Sequence, residues 1–420
     1  MRRSELESPY PRVVVFTTLF PNPAQPRLGV FVRDRVAAVA AACPTRVVAP
    51  ILTRFPARKL DRGSTASVPI QERHAGLDVY HPRFATVPGV CRAADALLLF
   101  RQSVATVRRV RAEFPFDLID AHYAFPDGAA AVLLGRHFGV PVCVTLRGGD
   151  IDLLPRFRLR RRVIQQTLQQ AHRIFAVSEH LARGAAALGL RRERIRVIPN
   201  GIDGSTFVSM DRDVARQQLG IPPQRRLLLC VGNLLAEKGQ HVLIEALGRL
   251  RSFNGDAPHL TIIGSNQWGR VDYTRQLEQR IRELGIGDSV SMIGSQPQDR
   301  LATWYNAADL LVLPTFREGC PNVVREALAC GTPVVASNVG GVPELITSDA
   351  VGLLVEAGDV AALADAVRAA LVRRWDREVI MSIGRRRTWP VVAAAVVEEF
   401  QTLAGTNAGQ FVSGGCGLPS

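Results

Sequence analysis

The feature that most constrains the fold is an alternation of short apolar, β-branched runs with longer Ala-, Leu- and Arg-rich segments of helical period. It begins with RVVVFTTLF (12–20) and continues through TRVVAPIL (45–52), FDLIDAHY (116–123), PVCVTLRG (141–148) and RIFAVSE (173–179). Apolar strands separated by helices are typical of a parallel sheet that helices cover on both faces. The sequence therefore predicts a doubly wound α/β fold.

The pattern restarts after residue 222, with strands that include RLLLCVGN (226–233), DLLVLPT (309–315) and TPVVAS (332–337). The chain has 420 residues, and a single core stops growing beyond roughly 250–300 residues. We therefore expect two tandem Rossmann-like, doubly wound domains that face a central cleft. Ligands in such sheets bind beyond the carboxyl ends of the strands.

The expected domain bounds follow from the same pattern. We predict an N-terminal domain over 1–205, a C-terminal domain over 206–385 and a crossover helix over 386–404 that could pack back on the N-terminal domain. The Gly- and Ser-rich segment 405–420 is expected to be a disordered tail.

The net charge of +14 is large, and Lys59 and Lys238 are the only lysines among the 52 basic residues. This charge fits either solvated arginine-rich faces or attraction to an anionic partner such as a nucleotide diphosphate or a membrane surface. Aromatic residues make up only 6% of the chain. A basic nucleic-acid-binding protein is therefore the less favoured alternative, and we expect no nucleic-acid partner.

The seven cysteines form no C-x-x-C pair, and apolar neighbours surround residues such as Cys143 and Cys230. This pattern favours buried free thiols in a reducing compartment, without a metal site. The chain lacks an apolar run of about 18 residues, and MRRSELESPYPR does not resemble a signal peptide. We expect a cytoplasmic protein, with peripheral contact to the inner face of the cell membrane left open.

The segment LLVLPTFREGCPNVVREALACGTPVVAS carries the clearest chemistry. A strand enters a loop, and Pro321 is expected to open a helix that ends at Gly331. The first amides of that helix, at Asn322, Val323 and Val324, would present a phosphate site at the positive end of the helix dipole.

Two carboxylates flank this expected phosphate site. Glu318 lies on the loop and Glu326 on the helix, so they can serve different parts of one ligand, such as a sugar and a ribose. Gly319 allows close approach of the backbone. The alternative is structural: Glu318 caps the helix and Glu326 is solvated.

This segment resembles the E-x7-E region of the retaining glycosyltransferases of family GT4, which have the GT-B fold, including enzymes of bacterial polysaccharide and teichuronic acid biosynthesis. The resemblance extends to about residue 380. Its further motifs are FPNPAQPRLGVFVRD, PNGID, VGNLLAEKG, ACGTPVVASNVGGVPELI and GLLVEAGD.

The resemblance implies that the C-terminal domain (206–385) binds the nucleotide-sugar donor and that the N-terminal domain (1–205) binds the acceptor. Glu318 would act in catalysis beside the reacting carbon, and Glu326 would hold the ribose. Lys238 would neutralise the diphosphate. The remaining donor-binding positions implied are Gly29, Gly264, Met292, Gly294, Gly319, Cys320, Pro321, Asn322 and Val323.

Asn233 departs from the family pattern, because many members carry an arginine five residues before the lysine. We expect either a neutral hydrogen bond from Asn233 or an arginine elsewhere in its place. His122 is implied both in catalysis and in acceptor binding, although a packed core histidine also fits a strand end. Arg147 and Asp150 are implied in acceptor binding, and Arg147, where many members have histidine, favours an anionic acceptor.

The resemblance thus implies a retaining hexosyltransferase-type enzyme. It would move a sugar from a nucleotide diphosphate sugar to a saccharide or lipid-linked acceptor in cell-surface polysaccharide or glycolipid synthesis, without a cofactor or an essential metal. The alternative is a GT-B-fold nucleotide-sugar epimerase or phosphorylase. Two basic segments, RQSVATVRRVRAEF and PRFRLRRRVIQQTL, could attract anionic lipid or simply face solvent.

Overall fold

The computed structural model describes residues 10–54, 67–86, 92–250, 258–266 and 273–412. The chain forms two compact units. One comprises Met1–Gly201 with Trp389–Ser420, and the other comprises Ile202–Thr388.

The N-terminal unit is built from alternating strands and helices. In chain order they are β1 (Val13–Phe16), α1 (Val30–Ala40), β2 (Thr45–Val48), β3 (Ile51–Arg54), β4 (Gln71–His74), β5 (Leu77–Tyr80), β6 (Arg83–Thr86), α2 (Asp95–Glu113), β7 (Leu118–His122), α3 (Ala129–Phe138), β8 (Val142–Leu146), α4 (Gly149–Asp152), α5 (Arg158–Gln170), β9 (Arg173–Ala176), α6 (Glu179–Ala187) and β10 (Ile195–Val197).

The main sheet of this unit has the strand order β10-β9-β8-β7-β1-β2-β5-β4, and β3 pairs with β6 in a second, two-stranded sheet. All pairs are parallel except β4 with β5. The strand order reverses at β1, which lies between β2 and β7. In open α/β sheets this reversal marks the ligand-binding edge.

The edge strand β4 was not expected, because QERH lies in a stretch without apolar periodicity. Its side chains alternate between exposed and half-buried, as suits a strand with one solvated face. Ala75 and Gly76, both with positive φ, form the tight turn to β5. The N-terminal sheet is therefore mixed and not purely parallel.

Two of the expected strands, TRVVAPIL and RVVVFTTLF, are shorter in the structure for reasons that single residues explain. TRVVAPIL divides at Pro50, where a missing N–H interrupts the ladder and the chain passes to the second sheet, and Pro82 separates β5 from β6 in the same way. β1 ends at Phe16, and the hydroxyl groups of the next two residues have other partners: Thr17 accepts from the amide of Leu19, and Thr18 donates to Asp127.

The C-terminal unit has a single six-stranded sheet. Its elements are α7 (Arg212–Leu219), β11 (Leu227–Val231), α8 (Gln240–Leu250), β12 (His259–Ile263), α9 (Tyr273–Glu283), β13 (Val290–Met292), α10 (Gln298–Ala307), β14 (Leu310–Leu313), α11 (Asn322–Ala329), β15 (Val334–Ser337), β16 (Gly352–Val355), α12 (Val360–Val372) and α13 (Arg377–Gly384). The strand order is β13-β12-β11-β14-β15-β16, with every pair parallel.

Side chains alternate between the two faces of this sheet. In β11, Leu227 and Leu229 belong to one apolar core, whereas Leu228 and Cys230 belong to the other. Both faces are buried, which explains the uninterrupted apolar run in the sequence. The expectation of two doubly wound α/β domains is confirmed.

The last helix, α14 (Trp389–Val412), returns to the N-terminal unit and packs against α1. Val396 and Phe400 share a core with Val32 and Val36 of α1, as the expected crossover helix required. Glu399 forms ion pairs with Arg173 and Arg196, at 2.8 and 2.7 Å. The helix includes residues 405–412 of the expected tail, and 413–420 lie outside the described residues.

Candidate active site

The strand order of the C-terminal sheet reverses between β11 and β14, and the two loops that leave these strands are bonded to each other. The amide of Phe316 and the hydroxyl of Thr315 both donate to the carbonyl of Glu237, at 2.8 and 3.1 Å. A Cβ on Gly239 would lie 1.9 Å from the carbonyl oxygen of Pro314. Only glycine permits this approach, so the two loops form one rigid edge.

Lys238 and Glu318 come together at this edge. Nζ of Lys238 donates to Oε1 of Glu318 at 2.5 Å, and the two side chains are only 20% and 14% exposed. Arg317 and Glu237 form a second ion pair across the same two loops. The sequence placed Lys238 and Glu318 at two strand ends, but it did not indicate that they would pair.

The backbone of Glu318 is fixed by the turn that follows β15. Its carbonyl accepts from the amide of Gly341 at 3.1 Å. A Cβ on Gly340, which has φ of 56°, would lie 1.8 Å from the same carbonyl oxygen. Gly319 is buried and Cys320 half-buried beyond it.

α11 begins at Asn322, so Pro321 is its N-cap and not its first residue. No side chain caps this end, and no acidic residue lies in the first turn. The amides of Val323 and Val324, in the first turn, have no acceptor within the helix and can donate to an anion. On the second turn, Glu326 accepts a hydrogen bond of 2.8 Å from the hydroxyl of Tyr305, so its carboxylate is held in place.

The ends of β12 and β13 adjoin this edge. Gly264 donates its amide to the carbonyl of Gly294 at 3.0 Å, and a Cβ on Gly264 would lie 1.8 Å from the carbonyl of Gly232. Met292 is the half-buried last residue of β13. Asn233 is exposed, and its carbonyl accepts from the side chain of Gln240.

The N-terminal sheet reverses at β1, and the loop after β1 leads to Gly29. This residue is the N-cap of α1 with φ of 65°, and no side chain caps the helix. A Cβ on Gly29 would lie 2.2 Å from the carbonyl oxygen of Leu19. Glycine is thus required for the loop to enter α1 at this position.

His122, at the end of β7, is completely buried. Nη2 of Arg147 lies 2.7 Å from its Nδ1, and Oδ2 of Asp120 lies 3.4 Å from its Nε2. Arginine only donates, so we infer that Nδ1 is the acceptor and that the ring proton is on Nε2, facing Asp120. Burial lowers the pKa of His122 to about 4, with the charge of Asp120 opposing and that of Arg147 assisting. The imidazole is therefore neutral near pH 7.

Arg147 is the half-exposed member of this cluster. Nη1 donates to Oδ1 of Asn200 at 2.8 Å, and the guanidinium lies over the ring of Phe31, 5.3 Å from its centroid. Phe31 belongs to the first turn of α1. The structure thus brings Arg147 and His122 together and orients a cation near the loop that contains Gly29.

The carboxylate of Asp150 is fully buried and accepts from the backbone amides of Ala124, Arg147 and Gly148 at 2.8 to 3.3 Å. Burial raises its pKa, against the opposing effect of these amides. Asp150 therefore orders the loop from which Arg147 projects.

Sequence reasoning missed several contributors to the two sites. Asp120 and His122 are two residues apart on one strand and therefore share a face, which was a usable signal. Tyr305 gave no local signal, because it lies on another helix than Glu326. Asn200 was noted only as part of the PNGID motif, yet its side chain accepts a hydrogen bond from Arg147.

The described residues contain neither a candidate metal site nor a candidate membrane-spanning helix. No group of three histidine, cysteine, aspartate or glutamate side chains is arranged to hold a metal ion. Within the same residues, no helix combines the length and apolarity needed to cross a membrane.

Comparison with known proteins defines the class to which this fold and this edge belong. The family described as "Glycosyl transferases group 1" matches residues 211–387, and "Glycosyltransferase Family 4" matches 29–205. The putative teichuronic acid biosynthesis glycosyltransferase TuaC of Bacillus subtilis is 30% identical over 368 residues, which cover 85% of this chain and 88% of TuaC. The chain belongs to glycosyltransferase family 4 and is a nucleotide-sugar-dependent glycosyltransferase.

Other relatives agree with this assignment. The D-inositol 3-phosphate glycosyltransferase of Xylanimonas cellulosilytica is 30% identical over 364 residues, which cover 80% of this chain and 84% of that enzyme. Sucrose-phosphate synthase of Thermosynechococcus elongatus superposes with a TM-score of 0.70 at 22% identity, covering 96% of this chain and 99% of the synthase. HepE of Anabaena, solved with UDP and glucose, superposes with a TM-score of 0.66 at 21% identity, covering 96% and 100%. The expected GT-B fold is confirmed.

Proposed function

We propose that the C-terminal unit binds a nucleotide diphosphate sugar and that the chain transfers the sugar with retention of configuration. The observation that carries this proposal is the strand-order reversal between β11 and β14, where Lys238, Glu318 and the uncapped N-terminus of α11 lie on bonded loops. A cation and free amides suit a diphosphate. Glu318 and Glu326 are set on opposite sides of those amides in the chain.

Each part of this edge then has a role. Glu318 contacts the donor sugar near its reacting carbon, and Glu326, held by Tyr305, binds the ribose. Lys238 and the first amides of α11 bind the diphosphate. Backbone groups of Gly264, Met292 and Gly294 form the nucleobase pocket. The sugar and phosphate are lined by the backbone of Gly319, Cys320, Pro321, Asn322 and Val323.

The transfer follows from these roles. The acceptor oxygen forms a bond to the anomeric carbon on the face from which the diphosphate departs, while the bond from that carbon to the phosphate oxygen breaks. The acceptor proton passes to the departing phosphate. Lys238 and the α11 amides stabilise the negative charge that develops on it. This chemistry needs no cofactor.

The N-terminal unit, in the same proposal, binds an acceptor that carries negative charge. Arg147 is oriented by His122, Asn200 and Phe31, so little side-chain entropy is lost when its guanidinium binds an anion. His122 acts through Arg147, because the ring is buried and neutral. The names of the relatives, a teichuronic acid enzyme and D-inositol 3-phosphate enzymes, support an anionic saccharide or lipid-linked acceptor of cell-surface polymers.

The same unit offers a surface for an anionic membrane. Phe157 and Leu159, at the start of α5, are 55% and 58% exposed, and exposed arginines flank them. Arg160 lies over the Phe157 ring, 4.8 Å from its centroid. Apolar side chains among arginines suit the interface between lipid headgroups and acyl chains. We infer that the enzyme works on the inner face of the cell membrane.

A thermal-shift panel of UDP-, GDP- and ADP-sugars tests the donor proposal. One donor should raise the melting temperature of the wild-type protein by several degrees, and Glu326→Ala should weaken its binding in calorimetry. Sugar transfer to a cell-wall acceptor fraction should then require that donor. Conversion of the donor to its epimer without any acceptor would instead identify an epimerase.

A further inference from the structure

Arg325 of α11 is a buried cation without an anionic partner. The residue is 5% exposed, and its Nε has no hydrogen-bond acceptor. Within the described part of the chain, no carboxylate lies within ion-pair distance of its guanidinium. The hydrogen-bond contact that it makes among the described residues is weak: Nη2 lies 4.0 Å from Sγ of Cys320.

A second buried arginine of the same unit is, in contrast, fully paired. Arg216 is 1% exposed, yet its guanidinium donates to the carbonyls of Ala307 and Pro223 and pairs with Asp309. A buried guanidinium that lacks such partners is costly, because its lost hydration is not replaced. The cost is offset when a bound anion supplies the missing acceptors.

The position of the Arg325 guanidinium indicates which anion this is. Helical side chains point back toward the N-terminus, and Cys320 precedes α11 by two residues. The guanidinium therefore lies at the uncapped end of α11, beside the amides of Val323 and Val324, which have no acceptor within the helix. A cation and these two amides at one place, with no acidic residue in the first turn, form a site for a multiply charged anion.

We propose that Arg325 binds the diphosphate of the donor and supplies the second cation that Asn233 does not provide. This inference rests on the proposed function. Lys238 is already paired with Glu318, so a second cation is needed if the diphosphate is to be neutralised while Glu318 keeps its partner. Arg325 thus determines affinity for the diphosphate and not for the nucleoside.

The test is calorimetry on the wild-type protein, Arg325→Met and Arg325→Lys. It measures the affinity for three nucleoside diphosphates (UDP, GDP and ADP) and for the matching nucleosides (uridine, guanosine and adenosine). Arg325→Met should lower diphosphate affinity by about tenfold or more, as the loss of a charged hydrogen bond implies, and leave nucleoside affinity unchanged. The diphosphate affinity of Arg325→Lys should lie between those of wild type and Arg325→Met. Arg300→Met, the control, removes an exposed arginine of α10 and should change neither the diphosphate affinity nor the nucleoside affinity.

Thermal unfolding without ligand shows whether a loss of affinity in Arg325→Met comes from a less stable fold. Arg325→Met should be at least as stable as wild type, because an unsatisfied buried charge is removed. Equal losses for nucleoside and diphosphate, or diphosphate affinity within twofold of wild type, would overturn the role of Arg325. If wild-type protein binds none of the three diphosphates, the donor proposal itself fails.

Discussion

At the scale of single residues, the pairing of Lys238 with Glu318 has a consequence for the donor. Each side chain is the other's counter-ion before the donor arrives, so neither is an isolated buried charge. In the proposed donor site, the diphosphate therefore meets an ion pair that is already close to neutral. Amides of α11 and further cations then contribute much of the attraction for the diphosphate.

Lys238→Ala should lower kcat by about a hundredfold, since a preorganised cation stabilises the departing diphosphate. Steady-state kinetics at saturating donor measure this. Asn233→Ala, at an exposed position on the same loop, should retain most of the activity. Wild-type turnover of Lys238→Ala would mean that other groups neutralise the diphosphate.

The raised pKa of the buried carboxyl of Asp127 predicts that stability depends measurably on pH. Burial raises its pKa to about 7, although the amide and hydroxyl of Thr18 donate to it. Between its ordinary pKa of 3.8 and 7, the folded chain holds a proton that the unfolded chain has released. The free energy of unfolding therefore falls as pH rises through this window, by at most about 4 kcal/mol.

Asp127→Asn has no such proton, so it should be more stable than wild type at pH 8, with a difference that shrinks toward pH 5. Urea unfolding of both proteins at pH 5, 6 and 8 gives this comparison. A difference that is constant across the three pH values would show that Asp127 titrates near its ordinary pKa.

At the scale of elements, the turn after β15 sets the position of the loop that carries Glu318. Gly340→Ala would force a Cβ against the Glu318 carbonyl. It should destabilise the unit by a few kcal/mol, more than the cost of positive φ alone, and weaken donor binding. Urea unfolding and calorimetry measure the two effects.

Gly220→Ala is the matched control, because Gly220 also has positive φ but a Cβ there meets nothing within 4 Å. It should cost about 1 kcal/mol and leave donor binding intact. Equal effects of the two substitutions would remove the special role assigned to the turn.

Sequence patterns predicted most of these elements, since apolar periodicity reports burial directly. They placed Glu318 on a loop and Glu326 on a helix, as observed. They could not predict which side chains pair, because the partners of Lys238 and Glu326 are 80 and 21 residues away and pairing depends on strand order and side-chain rotamers. The polar edge strand β4 was missed because it buries few side chains, so its sequence shows no apolar alternation.

At the scale of the whole molecule, the basic start of α5 is expected to determine where the enzyme works. Two variants test this. One replaces the apolar residues Phe157 and Leu159 by serine, and the other replaces Arg158, Arg161 and Arg162 by serine. Each variant should sediment less than wild type with phosphatidylglycerol vesicles. The apolar anchors and the charges contribute independently. Donor binding by calorimetry should be unaffected.

The control replaces Arg249, Arg282 and Arg300, three exposed arginines of the C-terminal unit, by serine and should not change sedimentation. Neutral phosphatidylcholine vesicles should not sediment the wild-type protein. Equal sedimentation of all variants would show that the arginine-rich face is simply solvated and does not bind the membrane.

The return of α14 to the N-terminal unit also orders events during synthesis. Trp389, Val396 and Phe400 belong to the core that α1 begins, so the N-terminal unit lacks part of its interior until the chain has been made as far as Phe400. The unit of Ile202–Thr388 is contiguous and can fold earlier, since contiguous domains fold as they emerge. Of the two units, the one that contains α1 is thus the later to be completed, and until α14 packs against α1 its apolar residues are open to chaperones.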